Sequence, residues 1–158
     1  GYTAQAAADG ATLLGGATHG TQAPNDKEQI VPMLARIKAQ SEVLGMPHDL
    51  LADTGYFSGK NVHECEDAQV TPSIAMARDQ HHPDWRDRHT EPAPLAAPAT
   101  AVQEMAHRLK TKAGRALYGL RKQTIEPVFG IIKSVMGFRQ FSLRGLDKVN
   151  GEWSLVCL

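Results

Sequence analysis

Two cysteines, Cys65 and Cys157, are all that this chain of 158 residues and 17.1 kDa contains. That is too few for a disulfide scaffold or a cysteine-rich zinc centre. The chain has no run of 18 apolar residues, so no transmembrane helix is expected. It has no excess charge of either sign, because 17 Lys and Arg balance 17 Asp and Glu. A uniformly basic nucleic-acid coat is therefore excluded, while a local basic patch is not. No Gly-rich dinucleotide fingerprint, phosphate-binding P-loop or GxSxG elbow occurs. What is present is 42% hydrophobic and 22% charged. That is enough for a buried core in one ordinary domain and argues against a disordered chain.

The balanced total hides an asymmetry. Residues 1–100 hold 7 Lys and Arg against 13 Asp and Glu, a net −6, and residues 101–158 hold 10 against 4, a net +6. A basic C-terminal third can neutralise phosphates and release their counterions; it can equally be a solvated helix face. The chain opens Gly1-Tyr2-Thr3 and closes on the apolar run 153–158 without a capping Gly, Asn or polar tail. Both ends read as cuts, so a piece of a longer protein is expected; the alternative is a small protein whose end packs inward.

Residues 2–8 alternate as a strand, Asp9-Gly10 is a turn pair, and 11–18 resumes an apolar run, which together predict a β-hairpin. Asn25 and Asp26 offer a helix start after Pro24, and Ile30, Met33, Leu34, Ile37, Val43 and Leu44 predict one amphipathic helix over 26–45. Leu50-Leu51-Ala52 predicts a buried strand that delivers Asp53 at its end. Ser58 then caps a helix through Val62 and Cys65, and 71–77 is a further strand. Residues 79–100, rich in Pro and His, read as an extended loop or insertion. A helical stretch over 101–138, interrupted near Thr124–Pro127, and a last helix from Gly145 complete the order.

Two carboxylates stand out. Asp53 sits where a strand meets a turn, the edge at which α/β folds bind ligands; an aspartate before Thr-Gly can also simply cap the turn. Ile125, Val128, Phe129, Ile132 and Val135 predict the buried face of a helix, and Glu126 lies one residue off that face. It can be a first-turn residue complementing the helix dipole, with Thr124 as the cap. As a pair they can instead share a hard divalent cation that serves phosphoryl transfer, with Arg121 and Lys133 on the substrate backbone. Two carboxylates make a thin two-metal site, and a third is expected. His63 with Cys65, or His81 with His82, lacks the paired spacing of a zinc site.

Several stretches, in one order, resemble a single family. Residues 1–6 resemble a "GYNAQ" strand, 25–28 an "NDKEQ" segment, and 50–58 an "LLADAGYFS" segment. Residues 121–133, RKQTIEPVFGIIK, resemble "RKQTVEPVFGxIK", and 138–158 are similar to the family's next segment. These belong to DDE transposases of bacterial insertion sequences. The resemblance covers nearly all of residues 1–158 except the 79–100 loop.

The resemblance implies an α/β, ribonuclease H-like mixed sheet with flanking helices and three metal-binding carboxylates, Asp53 the second and Glu126 the third. The first would lie on a central strand upstream of Gly1, so strand 1–9 and the Asp53 strand would flank a gap, and the chain would be inactive alone. Lys133 matches the lysine of the family's Tyr, Arg, Glu and Lys signature. Tyr118 and Arg121 stand one residue further from Glu126 than that signature has them, and Lys122 takes the Arg spacing. These four residues are the DNA-contacting set that the resemblance implies. Mg²⁺ or Mn²⁺ is the implied cofactor, insertion-sequence ends and target DNA the implied partners, and a homodimer the implied assembly, in the bacterial cytoplasm at the nucleoid. The activity implied is metal-dependent phosphodiester cleavage and strand transfer. The alternatives are a catalytically dead DNA-binding remnant, a nuclease of the same fold that cuts without joining, and a plain structural domain.

Overall fold

The computed structural model describes residues 1–10, 15–23, 25–76 and 90–158. They form a mixed α/β structure with two separate two-stranded sheets, in two compact units: Gly1–Met46 with Arg121–Leu158, and Pro47–Leu120.

In the first unit, β1 (Thr3–Ala8) pairs antiparallel with β2 (Gly15–Thr21). The register runs from Thr3 opposite Thr21 to Ala7 opposite Ala17, then slips so that Ala8 faces Gly15. The expected hairpin pairing is therefore present, with Gly10 in a turn after β1; residues 11–14 lie outside the described residues. Asn25 accepts the Lys27 N–H and starts a short 3-10 turn, Asp26–Glu28. The single helix expected over 26–45 is instead this turn, α1 (Ile30–Ala39) and α2 (Ser41–Leu44). Ile30, Met33 and Leu34 are buried at i, i+3 and i+4, whereas Val43 is 88% exposed. Gly45, at φ 76°, ends α2 in a conformation that only glycine adopts freely.

The C-terminal part of this unit holds α6 (Arg121–Gly130), a π turn (Ile131–Val135) and α7 (Leu146–Val156). Helices α1 and α7 pack on β2, and α6 packs on β1. The core is Ala17, Ile30, Met33, Leu34, Ile132, Val149 and Trp153. The Asn150 side chain accepts the Gly20 N–H at 2.7 Å. A Cβ on Gly20 would stand 3.3 Å from both Asn150 Oδ1 and Val149 Cγ1, so glycine lets α7 lie directly on the strand.

In the second unit, β3 (Asp49–Ala52) pairs parallel with β4 (Thr71–Ile74), Asp49 opposite Thr71 and Ala52 opposite Ile74. The crossover is α3 (Gly59–Asp67), capped by Ser58, whose hydroxyl accepts the Asn61 N–H at 3.1 Å. Strand β4 ends at Ile74, short of the expected 71–77; Ala77 lies outside the described residues. Val62, Cys65, Val70, Pro72, Ser73, Ile74 and Met105 form the buried centre. Helix α4 (Ala101–Lys110) starts with a capping box between Thr100 and Gln103 and packs on β4, where Arg108 donates to the Pro72 carbonyl. Helix α5 (Lys112–Gly119) follows, capped by Thr111.

Of the 79–100 segment, 79–89 lies outside the described residues. Residues 90–100 contain no helix or strand but are tied down. The Glu91 carboxylate accepts the Lys112 N–H at 2.8 Å, His107 bonds the Ala93 carbonyl at 2.8 Å, and Arg115 donates to the Thr90 carbonyl. The helical stretch after 101 breaks at Thr111, at Leu120 and in the π turn, not near Thr124–Pro127 as the local signals predict. Pro127 stands inside α6. Thr124 is not a cap: its hydroxyl donates back to the Arg121 carbonyl at 3.3 Å. The stripe Ile125 to Val135 is mostly not core either, since only Ile132 is buried and Val135 is 78% exposed.

Candidate functional site

Asp53 follows the last residue of β3, as its sequence context predicts, and is exposed. Its Oδ1 accepts the Thr54 N–H at 2.7 Å and its carbonyl accepts the Tyr56 N–H at 3.0 Å, closing a 3-10 turn over Thr54–Tyr56. The turn is held from inside by Asn61, 2% exposed, whose amide donates to the Tyr56 carbonyl at 2.7 Å. Tyr118, on α5 in the same unit, donates its hydroxyl to the Ala52 carbonyl at 3.1 Å. The structure thus brings Tyr118 to the peptide that precedes Asp53.

Glu126 sits in the middle of α6, not in a first turn, so the helix-dipole explanation of this residue does not apply. Its carboxylate Oε1 lies 3.2 Å from Arg121 Nη2, with the Glu126 side chain 50% exposed and the Arg121 side chain 18% exposed. Arg121 turns toward Glu126, while Lys122 is exposed. Pro127 has no N–H for the Gln123 carbonyl, and the helix widens into the π turn four residues later. There the Met136 N–H reaches the Ile131 carbonyl at 3.0 Å and the Phe138 N–H reaches the Ile132 carbonyl at 3.0 Å. π turns recur at functional positions, and this one carries Lys133. The Lys133 ammonium is 5.7 Å from the centre of the Phe129 ring, within cation–π range.

Beside Lys133 is a cavity of about 470 Å³ lined by Tyr2, Phe129, Phe138, Phe141, Trp153 and Arg139 among others. The aromatic rings pack on one another. Phe129 stacks on Trp153 at 6.1 Å, and Phe138 and Phe141 meet edge to face at 5.4 Å. The sequence reading missed Arg139 and this cluster. The only signal for them was the spacing of Phe138 and Phe141 beside two cations, which is weak until α6, the π turn and α7 come together.

A hard divalent cation takes oxygen donors. Asp53 and Glu126 are both exposed carboxylates, so the donor type fits Mg²⁺ or Mn²⁺. Among the described residues no group of three or more His, Cys, Asp or Glu gathers as a metal site. His63 Nδ1 lies 3.9 Å from Glu66 Oε2, an ion-pair distance, and His81 and His82 lie outside the described residues.

Two cysteines are set apart from this chemistry. Burial, with Glu66 and Glu64 adding like charge, pushes the Cys65 thiol up to about 11. Burial also raises Cys157. Both shifts favour the thiol over the thiolate.

No helix among the described residues is long and apolar enough to cross a membrane. No curated protein and no solved structure matches the chain. The family model described as the transposase DDE domain matches residues 65–158, more than half of the chain. The match contains Tyr118, Arg121, Lys122, Glu126 and Lys133 and begins beyond Asp53. On that match, the chain belongs to the transposase DDE domain family.

Proposed function

We propose that this chain is part of the catalytic domain of an insertion-sequence transposase that cuts DNA and joins the ends to a target, using Mg²⁺ or Mn²⁺. The family membership points to DNA transposition in general. The observation that carries the finer reading is Asp53, an exposed carboxylate on a strand end whose backbone is bonded on both sides.

In this reading Asp53 and Glu126 are two of three metal ligands, and a carboxylate on a strand preceding Gly1 is the third. That strand would belong to a ribonuclease H-like sheet, and residues 1–158 would belong to that one domain. The metal, when bound, would polarise the phosphate and activate the attacking oxygen. Water or a DNA 3′-hydroxyl attacks phosphorus and expels the opposite ester oxygen. The reaction does not need a covalent nucleophile from the chain, so the chain's share is positioning and charge.

Lys133 and Lys122 are exposed and can neutralise phosphates next to the cut. Arg121, paired to Glu126, holds that carboxylate until metal or phosphate competes for one of the two. Assembly as a dimer and a place at the bacterial nucleoid belong to the same proposal.

The test uses two proteins, this chain and this chain extended upstream through the completing strand, each with Asp53→Ala and Glu126→Ala. The expected result is Mg²⁺-dependent nicking by the extended protein alone, abolished by either substitution. An extended protein that folds and binds DNA but never nicks would make this a dead DNA-binding remnant. Free ends without strand-transfer joints would make it a nuclease.

A further inference from the structure

The Ala52 carbonyl has two lone pairs and both are used. One accepts the Ala75 N–H at 3.3 Å, carrying the β3–β4 ladder one step past the strands. The other accepts the Tyr118 hydroxyl at 3.1 Å. The next residue is Asp53. Beyond it, Asn61 from α3 holds the Tyr56 carbonyl at 2.7 Å. The two peptides that flank the Asp53 turn are therefore clamped by side chains from different helices, while the carboxylate between them is exposed. An aspartate that only caps a turn is served by local bonds such as Asp53 to Thr54. The Tyr118 bond spans 66 residues of sequence, so it contributes something local turn chemistry does not.

We infer that Tyr118 is a positioning residue for the Asp53 carboxylate, holding the end of β3 so that this oxygen donor is presented to a divalent cation. The inference rests on the proposed reading of Asp53 as a metal ligand. It also gives Tyr118 a role other than the DNA contact its place in the sequence implies: the phenol proton is directed at the protein's own backbone. Bonds that orient a ligand are worth about tenfold or more in metal affinity in other metal sites.

The experiment tracks the whole chain by amide hydrogen exchange and by Mn²⁺ broadening of backbone amide signals, for the parent, Tyr118→Phe, Tyr118→Leu and Asp53→Asn. Tyr118→Phe keeps the ring and removes one hydroxyl. The expected result is a fall in protection of roughly threefold to tenfold at Thr54 and Tyr56, the scale of one net hydrogen bond, with Val62 and Cys65 in α3 unchanged. The Mn²⁺ midpoint for the Thr54 and Gly55 signals should rise by a similar factor. Unchanged protection at Thr54 and Tyr56 in Tyr118→Phe, with loss only in Tyr118→Leu, overturns the inference and leaves Tyr118 as packing. If Asp53→Asn leaves Mn²⁺ broadening intact, the ligand reading of Asp53 falls, and the exchange data still decide whether Tyr118 positions it.

Discussion

The indole N–H of Trp153 donates to the Gln5 carbonyl at 2.8 Å, tying α7 to β1 across 148 residues of sequence. Trp153 is 2% exposed and carries Phe129, Phe138 and Phe141 around it. It joins the part of the first unit that precedes the second unit in sequence to the part that comes after it.

Trp153→Phe keeps most of the apolar volume and removes the donor. It should destabilise the chain by about 1–3 kcal/mol, the cost of leaving a buried polar group without its partner. Trp153→Ala should cost about 3–5 kcal/mol through the cavity it opens. Urea unfolding of the two variants checks this, and equal midpoints for parent and Trp153→Ala would remove Trp153 from the core.

Gly114 sits at a close backbone approach in the second unit. A Cβ there would overlap the Arg108 carbonyl at the α4–α5 corner, where Thr111 bonds both helices. Gly114→Ala should lower stability by about 1–3 kcal/mol, the scale of overpacking. Gly119→Ala meets nothing within 4 Å and serves as the control. Thermal melts monitored by circular dichroism separate them, and indistinguishable melting temperatures would mean that the corner relaxes freely.

Glu152 sets a pH dependence. Its carboxylate accepts the N–H groups of Leu143 and Ser142, at 3.0 and 2.9 Å, and these bonds hold its pKa below the ordinary glutamate value of 4.5. Because the folded pKa is depressed, the stabilisation is full above 4.5 and fades as pH falls through the folded value. Glu152→Gln should therefore melt below the parent at neutral pH and converge with it in strong acid. A gap that widens on acidification contradicts the assignment.

Cys65 is buried, with its thiol raised to about 11. At about pH 8 it should be nearly all thiol and shielded from reagents. Labelling with an aromatic disulfide should be slow in the native chain and fast once urea unfolds it. Rapid native labelling at Cys65, identified by peptide mapping, would show that α3 opens readily.

Lys133 is exposed on the π turn. If it contacts a phosphate, Lys133→Ala should weaken DNA binding across all sequences and reduce the salt slope by about 1. An unchanged slope would take Lys133 out of the interface.

Local chemistry determined much of this structure. The alternation over residues 2–8 specifies β1, three apolar residues before a Thr-Gly turn specify β3 and place Asp53, and Ser58 specifies the start of α3. These features depend on neighbours within a few residues, so they are written in sequence. The family was legible for the same reason, through contiguous motifs such as residues 121–133.

Tertiary structure decided the rest. Thr124 and Pro127 carry the local marks of a helix start, yet both lie inside α6, because a helix boundary also depends on what the flanking turns pack against. The apolar stripe from Ile125 to Val135 has a helical period, but periodicity says which residues share a face, not whether another element covers it. Only Ile132 is covered completely. Of the bonds Tyr118 to Ala52 and Arg121 to Glu126, the second lies within α6 and the first joins a side chain to a group that no local propensity pairs. The first spans 66 residues and exists only after β3 and α5 meet. Sequence singled out Asp53 and Glu126 as candidates, and packing over a long separation decided which side chain holds the peptide beside Asp53.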